Sequence, residues 1–248
     1  MGGSGGAAAA SARPPRNRKG VTRAPLSRHE VVETALRLID EHGFYELSMR
    51  GLARELGVFP AAVYWHAGTK SELLALVSER VMEEIELPDE SLDWQDWMLD
   101  LGLRVRSVLG HHPRFASYFI TNIQINGRML VLADATIGTL SRAGFRNEEL
   151  IYAYNALFGA AFSWTAGEFA EEMDPRHDGD GKAQVAARLA EAGADEFVNV
   201  RAHWSVVADR VYGVRWRSGR TRPMDASFER MLRTLIAGFA AQLESPLS

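Results

Sequence analysis

The sequence predicts an all-α chain, and three observations carry that prediction. Apolar residues recur at helical spacing along most of the chain after residue 26, as in Val31, Val32, Ala35, Leu36 and Ile39. Helix-start signatures stand where two of these runs begin. Ser27 with Glu30 and Thr69 with Glu72 each fit a capping box, in which hydroxyl and carboxylate satisfy the other end's free backbone N–H. No segment shows a strand pattern worth assigning.

The elements follow in order. Residues 1–25 form a low-complexity tail in which Arg13, Arg16, Arg18, Lys19 and Arg23 alternate with Pro14, Pro15 and Pro25, so helix is not expected there. The first helix starts at Ser27 and ends at Gly43. Residues 47–70 read as two short helices, joined by Gly57, which takes a left-handed conformation without a Cβ clash, and restarted by Pro60 at the first turn of the next helix. Leu52, Ala53 and Leu56 face inward from the first, and Val63 turns back from the second. Thr69 opens a helix through Ile85, and Pro88 stops it. Further helices are expected near 91–110, 113–121, 125–143 and 148–170. A polar break follows at 173–182, then one or two short helices at 183–202, an arginine-rich loop at 209–223, and a last helix at 225–243.

Composition narrows the function. The net charge of −4 argues against a nucleic-acid binder, but its distribution argues for one. Residues 1–70 hold ten Lys/Arg against six Asp/Glu, a balance of +4; residues 71–248 hold eighteen against twenty-six, a balance of −8. A basic end on an acidic body is the asymmetry expected when one end meets phosphate. Cysteine is absent, which excludes disulfides and thiolate chemistry and is consistent with a cytoplasmic setting. No stretch is apolar long enough to span a membrane, and residues 1–12 lack the features of a signal peptide. No nucleophile elbow, phosphate loop or metal-ligand spacing is present, so neither enzyme activity nor a cofactor is expected.

Helix, glycine turn and short helix make a helix-turn-helix, whose second helix can enter a DNA major groove. In this stretch the sequence resembles the tetracycline-repressor (TetR) family of transcriptional regulators. The resemblance rests on Val31-Val32-Glu33-Thr34-Ala35-Leu36, Gly43-Phe44, Leu47-Ser48-Met49-Arg50, Leu52-Ala53, Leu56-Gly57-Val58, Val63-Tyr64-Trp65-His66 and Lys70. It implies a three-helix DNA-binding domain at 26–74 and a helical effector-binding and dimerisation domain at 75–248. It also implies a homodimer on palindromic operator DNA, released by a small molecule. An activator or architectural protein without an effector is the alternative.

The resemblance carries roles onto residues. Ser48 touches phosphate as well as capping its helix. Arg50, placed one turn into that helix, reaches a base edge; a guanidinium fork matches guanine O6 and N7. Tyr64, His66 and Lys70 clamp phosphates, and Trp65 falls in the core. Phe59, Pro60, Ala61 and Ala62 depart from the family's polar pattern, since none carries a side-chain hydrogen-bond donor. Such a face can contact thymine methyls or test shape; packing of Phe59 beneath the preceding helix is the other reading. Ala67 stands where the family often has Phe, leaving less packing under the clamp. The basic tail either follows a minor groove or stays solvated.

For the effector, Trp94, Trp97, Phe115, Tyr118, Phe119, Phe158, Phe162 and Trp164, joined by Tyr154, form an aromatic cluster suited to an apolar or aromatic molecule. His112, Asn122, Gln124 and Asn155 could add polar contacts. Ordinary core is the competing role for each aromatic. His111 and His112 are adjacent and cannot share a helix face, and the helix bearing Glu168 has no His one turn away, so no metal site is expected. The helix at 148–170 and the last helix, with small residues at Ala153, Ala156, Gly159, Ala160, Ala237, Gly238, Ala240 and Ala241, are the expected dimer surface.

Overall fold

Ser27 and Ser48 show how short polar residues set the helix starts. Ser27 Oγ accepts from Glu30 N–H at 3.1 Å and opens α1 (Arg28–His42); Ser48 Oγ accepts from Gly51 N–H at 3.1 Å and opens α2 (Met49–Leu56). In this computed structural model the described residues are 2, 25–121, 127–169, 181–208 and 225–244, and among them the chain forms eleven helices and no strand. The fold is all-α, with an N-terminal helix-turn-helix unit and a larger helical body.

The N-terminal unit closes on a single apolar seam. α1, α2, α3 (Pro60–Ala67) and α4 (Lys70–Glu83) bury Val31, Ala35, Ile39, Leu52, Leu56, Val63, Leu73 and Val77 against one another. Gly57 caps α2 in the left-handed region, at φ 65° and ψ 33°. Its N–H donates to the Arg54 carbonyl and the Val58 N–H to the Ala53 carbonyl, closing the helix end.

α4 stops earlier than its sequence pattern suggests. Its end tightens into i→i+3 bonds, Glu84 N–H to Val81 and Ile85 N–H to Met82, so Glu84 is the cap and Ile85 lies outside. Arg128 then donates to the Ile85 carbonyl from the body, so the chain end of the helix is met by a side chain rather than by further helix. Residues 85–93 form a connector, and Asp93 Oδ1 accepts from Asp96 N–H to start α5 (Trp94–His111).

The body packs α5, α6 (Pro113–Thr121), α7 (Gly127–Ala143), α8 (Asn147–Phe169) and α11 (Asp225–Glu244). α8 is its hub, meeting α5, α6, α7 and α11. Gly102 permits α5 to approach α11: a Cβ there would overlap the Leu232 side chain. α9 (Gly181–Glu191) and α10 (Val198–Val207) form a hairpin tied by Arg201, whose guanidinium donates to the Leu189, Ala192 and Gly193 carbonyls at the end of α9. α9 begins at Gly181, so the last two residues of the expected polar break are already helical. The rest of that break at 173–180, the arginine-rich 209–223 and the basic tail through residue 24 lie outside the described residues.

Candidate DNA-binding and effector sites

α3 opens on three side chains without a hydrogen-bond donor, Pro60, Ala61 and Ala62, and turns Tyr64 and Trp65 outward after them. Val63 and Ala67 are its buried side chains, one turn apart, which fixes the opposite side of the helix outward. Phe59 is 85% exposed and caps α3 without a side-chain hydrogen bond; Ala62 N–H is met by the Phe59 carbonyl at 2.9 Å. Phe59 therefore does not pack beneath α2. Pro60 and Ala61 are exposed, Ala62 is half-buried and Tyr64 is half-exposed.

Trp65 corrects the sequence reading: it is 80% exposed rather than core. Two residues from Val63 and two from Ala67, it falls across the helix from both. Its ring meets His66 edge-on at 4.5 Å. The His66 carbonyl accepts from Arg28 Nε at 3.0 Å, which ties the end of α3 to the start of α1.

Arg50 is the second residue of α2, not a full turn in, and its side chain has no hydrogen bond or ion pair among the described residues. It is exposed, two residues after the Ser48 cap. Lys70 differs: Nζ donates to the Phe44 carbonyl at 3.3 Å and ties the first residue of α4 to the turn after α1. Gly68, at φ 66°, makes that turn work. A Cβ there would overlap the Glu72 carboxylate, which instead folds back to accept from Thr69 N–H at 2.7 Å while Thr69 Oγ1 accepts from Glu72 N–H. Hydrogen bonding of the Glu72 carboxylate by the Thr69 backbone, and then by its side chain, holds that carboxyl below its usual range. The glycine after Ala67 thus replaces aromatic packing with a rigid capping box.

The aromatic candidates divide. Phe115, Tyr118 and Phe119 of α6 meet Phe162 and Phe158 of α8 in one continuous row. Phe119 and Phe162 are 5.7 Å apart, Phe162 and Phe158 4.5 Å, and Tyr154 stacks on Phe158 at 5.1 Å. The row extends to Phe44 beside α1 through Tyr118, at 4.9 Å. Burial raises the Tyr118 and Tyr154 phenol pKa values.

Trp94, Trp97 and Trp164 are elsewhere. Trp94 packs edge-on against Phe145 and, with Trp97, Thr139 and Arg142, lines a cavity of about 200 Å³; Trp164 packs toward Phe228 of α11. Asn155 is exposed on α8, and Asn122 and Gln124 lie outside the described residues. A cavity of about 650 Å³ lies at the α7–α8 turn, between Phe145, Glu149 and Leu243, and none of the aromatic candidates lines it.

His112 also leaves the expected group. Its Nδ1 lies 2.8 Å from Asp40 Oδ2 on α1 and its Nε2 3.3 Å from Glu84 Oε2 at the end of α4. Both ring nitrogens are engaged at the junction of the two units. Sequence reasoning missed this junction, and missed the buried pair Arg106–Glu168, because the partners are far apart in the chain and carry no local pattern.

A short helix that reserves two small side chains for packing and turns the rest outward is built to enter a groove. Set on a compact N-terminal unit beside a larger helical body, it places the chain among helix-turn-helix regulators of transcription. The chain belongs to the tetR family: residues 31–77 match the profile of bacterial regulatory proteins of the tetR family, and residues 87–243 match the tetracyclin repressor-like C-terminal domain. It is 30% identical over 223 residues to an HTH-type transcriptional regulator of Saccharopolyspora erythraea, covering 89% of this chain and 87% of that one. It is 26% identical to the class E tetracycline repressor protein of Escherichia coli, covering 89% and 94%. Among solved structures, the TetR family protein ActR of Streptomyces coelicolor in complex with actinorhodin matches with a TM-score of 0.70 at 27% identity, over 89% of this chain and 99% of that one. No helix among the described residues is long and apolar enough to cross a membrane.

Proposed function

We propose that this regulator is a repressor that binds a palindromic operator as a homodimer through residues 26–74, and leaves it when residues 75–248 bind a small apolar or aromatic molecule. The observation that carries the operator reading is the pairing of an exposed Arg50 guanidinium, without a partner among the described residues, with residues 59–62 at the head of α3, whose side chains carry no hydrogen-bond donor. Arg50 reads guanine; Phe59, Ala61 and Ala62 contact thymine methyls; Ser48, Tyr64, His66 and Lys70 meet phosphate. Pro60 sets the start of the helix that carries them.

Homodimerisation through α8 and α11 is supported by two glycines, Gly159 and Gly238, that no side chain among the described residues covers, whereas Ala153 is buried within the chain. Among the described residues, no atom beyond the helix's own neighbouring turns lies within 4 Å of where a Cβ would stand on Gly159 or Gly238, and Ile151, Tyr152, Ala237 and Ala241 of the same helices are exposed. A two-fold dimer presents its half-sites about 34 Å apart, one turn of DNA. The continuous aromatic row supports an apolar or aromatic effector, and the similarity to ActR, solved in complex with actinorhodin, supports a small molecule as that effector.

Selection of bound duplexes from a random pool tests the reading. An inverted repeat with a guanine that is no longer selected by Arg50→Ala, flanked by thymines, is the expected outcome; a single asymmetric site sinks the dimeric reading. Deletion of residues 1–24 is expected to lower the salt slope of binding if Arg13, Arg16, Arg18, Lys19 and Arg23 meet phosphate. A thermal-shift screen of apolar and aromatic compounds tests the effector, since a ligand of the folded state raises Tm.

A further inference from the structure

The two structural units touch at a small charged cluster that neither DNA reading nor effector burial requires. His112 caps α5 immediately before Pro113 opens α6, so its ring sits at a corner of the body. Its two nitrogens face carboxylates from two other helices: Asp40 near the end of α1 and Glu84 at the cap of α4. The His112 side chain is 13% exposed. The second Asp40 oxygen, Oδ1, is buried with no hydrogen-bond partner among the described residues, so within them the Asp40 side chain bonds to His112.

Other charges complete the setting. On α4, Arg80 donates to Glu84 Oε1 at 2.7 Å and to Glu33 Oε1 of α1 at 2.5 Å, which holds Glu84 toward His112. On α6, Arg114 donates to the Glu41 carbonyl; on α7, Arg128 donates to the Ile85 carbonyl. His111, beside it, is exposed.

The chemistry of the ring decides what this cluster can do. An imidazolium donates from both nitrogens and satisfies both carboxylates at once; a neutral ring donates from one and turns a lone pair toward the other. We propose that His112 is a proton-dependent latch that fixes α1 and α4 of the DNA-binding unit to the α5–α6 corner of the body, and so couples operator affinity to pH. The regulatory half of this inference rests on the operator-binding reading above. Burial alone would disfavour the charged ring, but the bonds and charges of Asp40 and then Glu84 outweigh it and raise the His112 pKa above its ordinary value. The latch is therefore closed at low pH and opens as pH rises through the folded-state pKa.

Two measurements on the full-length homodimer test it, comparing wild type with His112→Gln and Asp40→Asn from about pH 5.5 to 8.5. In thermal melts, the wild-type advantage over His112→Gln is expected to shrink as pH rises; parallel profiles overturn the latch, whether or not the protein binds any operator. In operator titrations, the ratio of wild-type to His112→Gln affinity is expected to change with pH, by about tenfold for each unit by which DNA binding moves the His112 pKa. A constant ratio, with pH-dependent melting intact, overturns the regulatory role. Failure of wild type to bind any selected duplex refutes the operator reading and the regulatory role with it, while the melts still decide the latch. Should His112→Gln fold poorly, a fall in the ring titration of wild-type His112 on Asp40→Asn, followed by NMR, replaces the melts; an unmoved titration overturns the latch.

Discussion

Arg106 and Glu168 form a two-pronged ion pair between α5 and α8. Arg106 Nη2 lies 2.7 Å from Glu168 Oε1 and Nε lies 2.8 Å from Oε2, with the Glu168 side chain 2% exposed and the guanidinium 5.4 Å from the Phe228 ring of α11. Three helices thus meet on one buried charge pair. Removing one partner takes a two-pronged, charge-assisted contact away from a buried ionised side chain. Arg106→Met is expected to cost about 3–5 kcal/mol in denaturant melts, and the double variant Arg106→Met/Glu168→Met less than the sum of the single losses. Additive losses would show that the pair is not coupled.

Arg50→Ala removes a guanidinium that has no partner among the described residues, so folding stability is expected to stay within about 0.5 kcal/mol of wild type. Operator affinity is expected to fall by about 1–3 kcal/mol, with discrimination lost at one guanine. Fluorescence anisotropy on duplexes differing at that base pair checks this. An equal loss on every duplex would reassign Arg50 to phosphate.

Phe59→Thr separates stability from recognition at a single position. The hydroxyl supplies the side-chain cap that α3 lacks, so a gain of about 0.5–1 kcal/mol is expected in thermal or denaturant unfolding. Affinity for the thymine-rich operator is expected to fall over the same substitution. A variant that loses stability as well would mean that the exposed ring packs against the protein after all.

Gly68→Ala places a Cβ into the Glu72 carboxylate at a residue with φ 66° and ψ −137°. The backbone strain alone is expected to cost about 1–3 kcal/mol. Thr69→Ala, which removes one half of the capping box without strain, is expected to cost about 1 kcal/mol. Because the fold lowers the Glu72 pKa, its contribution is present at neutral pH and disappears as pH falls through the folded-state value. The stability difference between wild type and Glu72→Gln is therefore expected to narrow on acidification, as read by melts at a series of pH values.

Gly102→Val drives a branched side chain into Leu232 where α5 and α11 approach. A loss of about 1–3 kcal/mol is expected from overpacking. Leu232→Ala in the same chain is expected to restore part of it by opening space, and a double-variant melt measures that recovery.

What could be read from the sequence is what local chemistry enforces. The caps at Ser27, Ser48 and Thr69, the left-handed Gly57, the proline at the head of α3 and the apolar face of α1 each act within a few residues, so the helices and the helix-turn-helix were legible. The family resemblance was legible for the same reason, because its motifs occupy one continuous stretch. Trp65 was misread because a large aromatic side chain suggests burial, whereas its angular position relative to Val63 and Ala67 excludes it. Composition grouped the aromatics of the body, but packing divides them into a row through α6 and α8 and separate contacts at Phe145 and Phe228. Tertiary structure alone decided the meetings of Arg106 with Glu168 and of His112 with Asp40 and Glu84. Those contacts span 62, 72 and 28 residues of chain, and they exist because the packing of the helices' apolar faces brings the charges within reach.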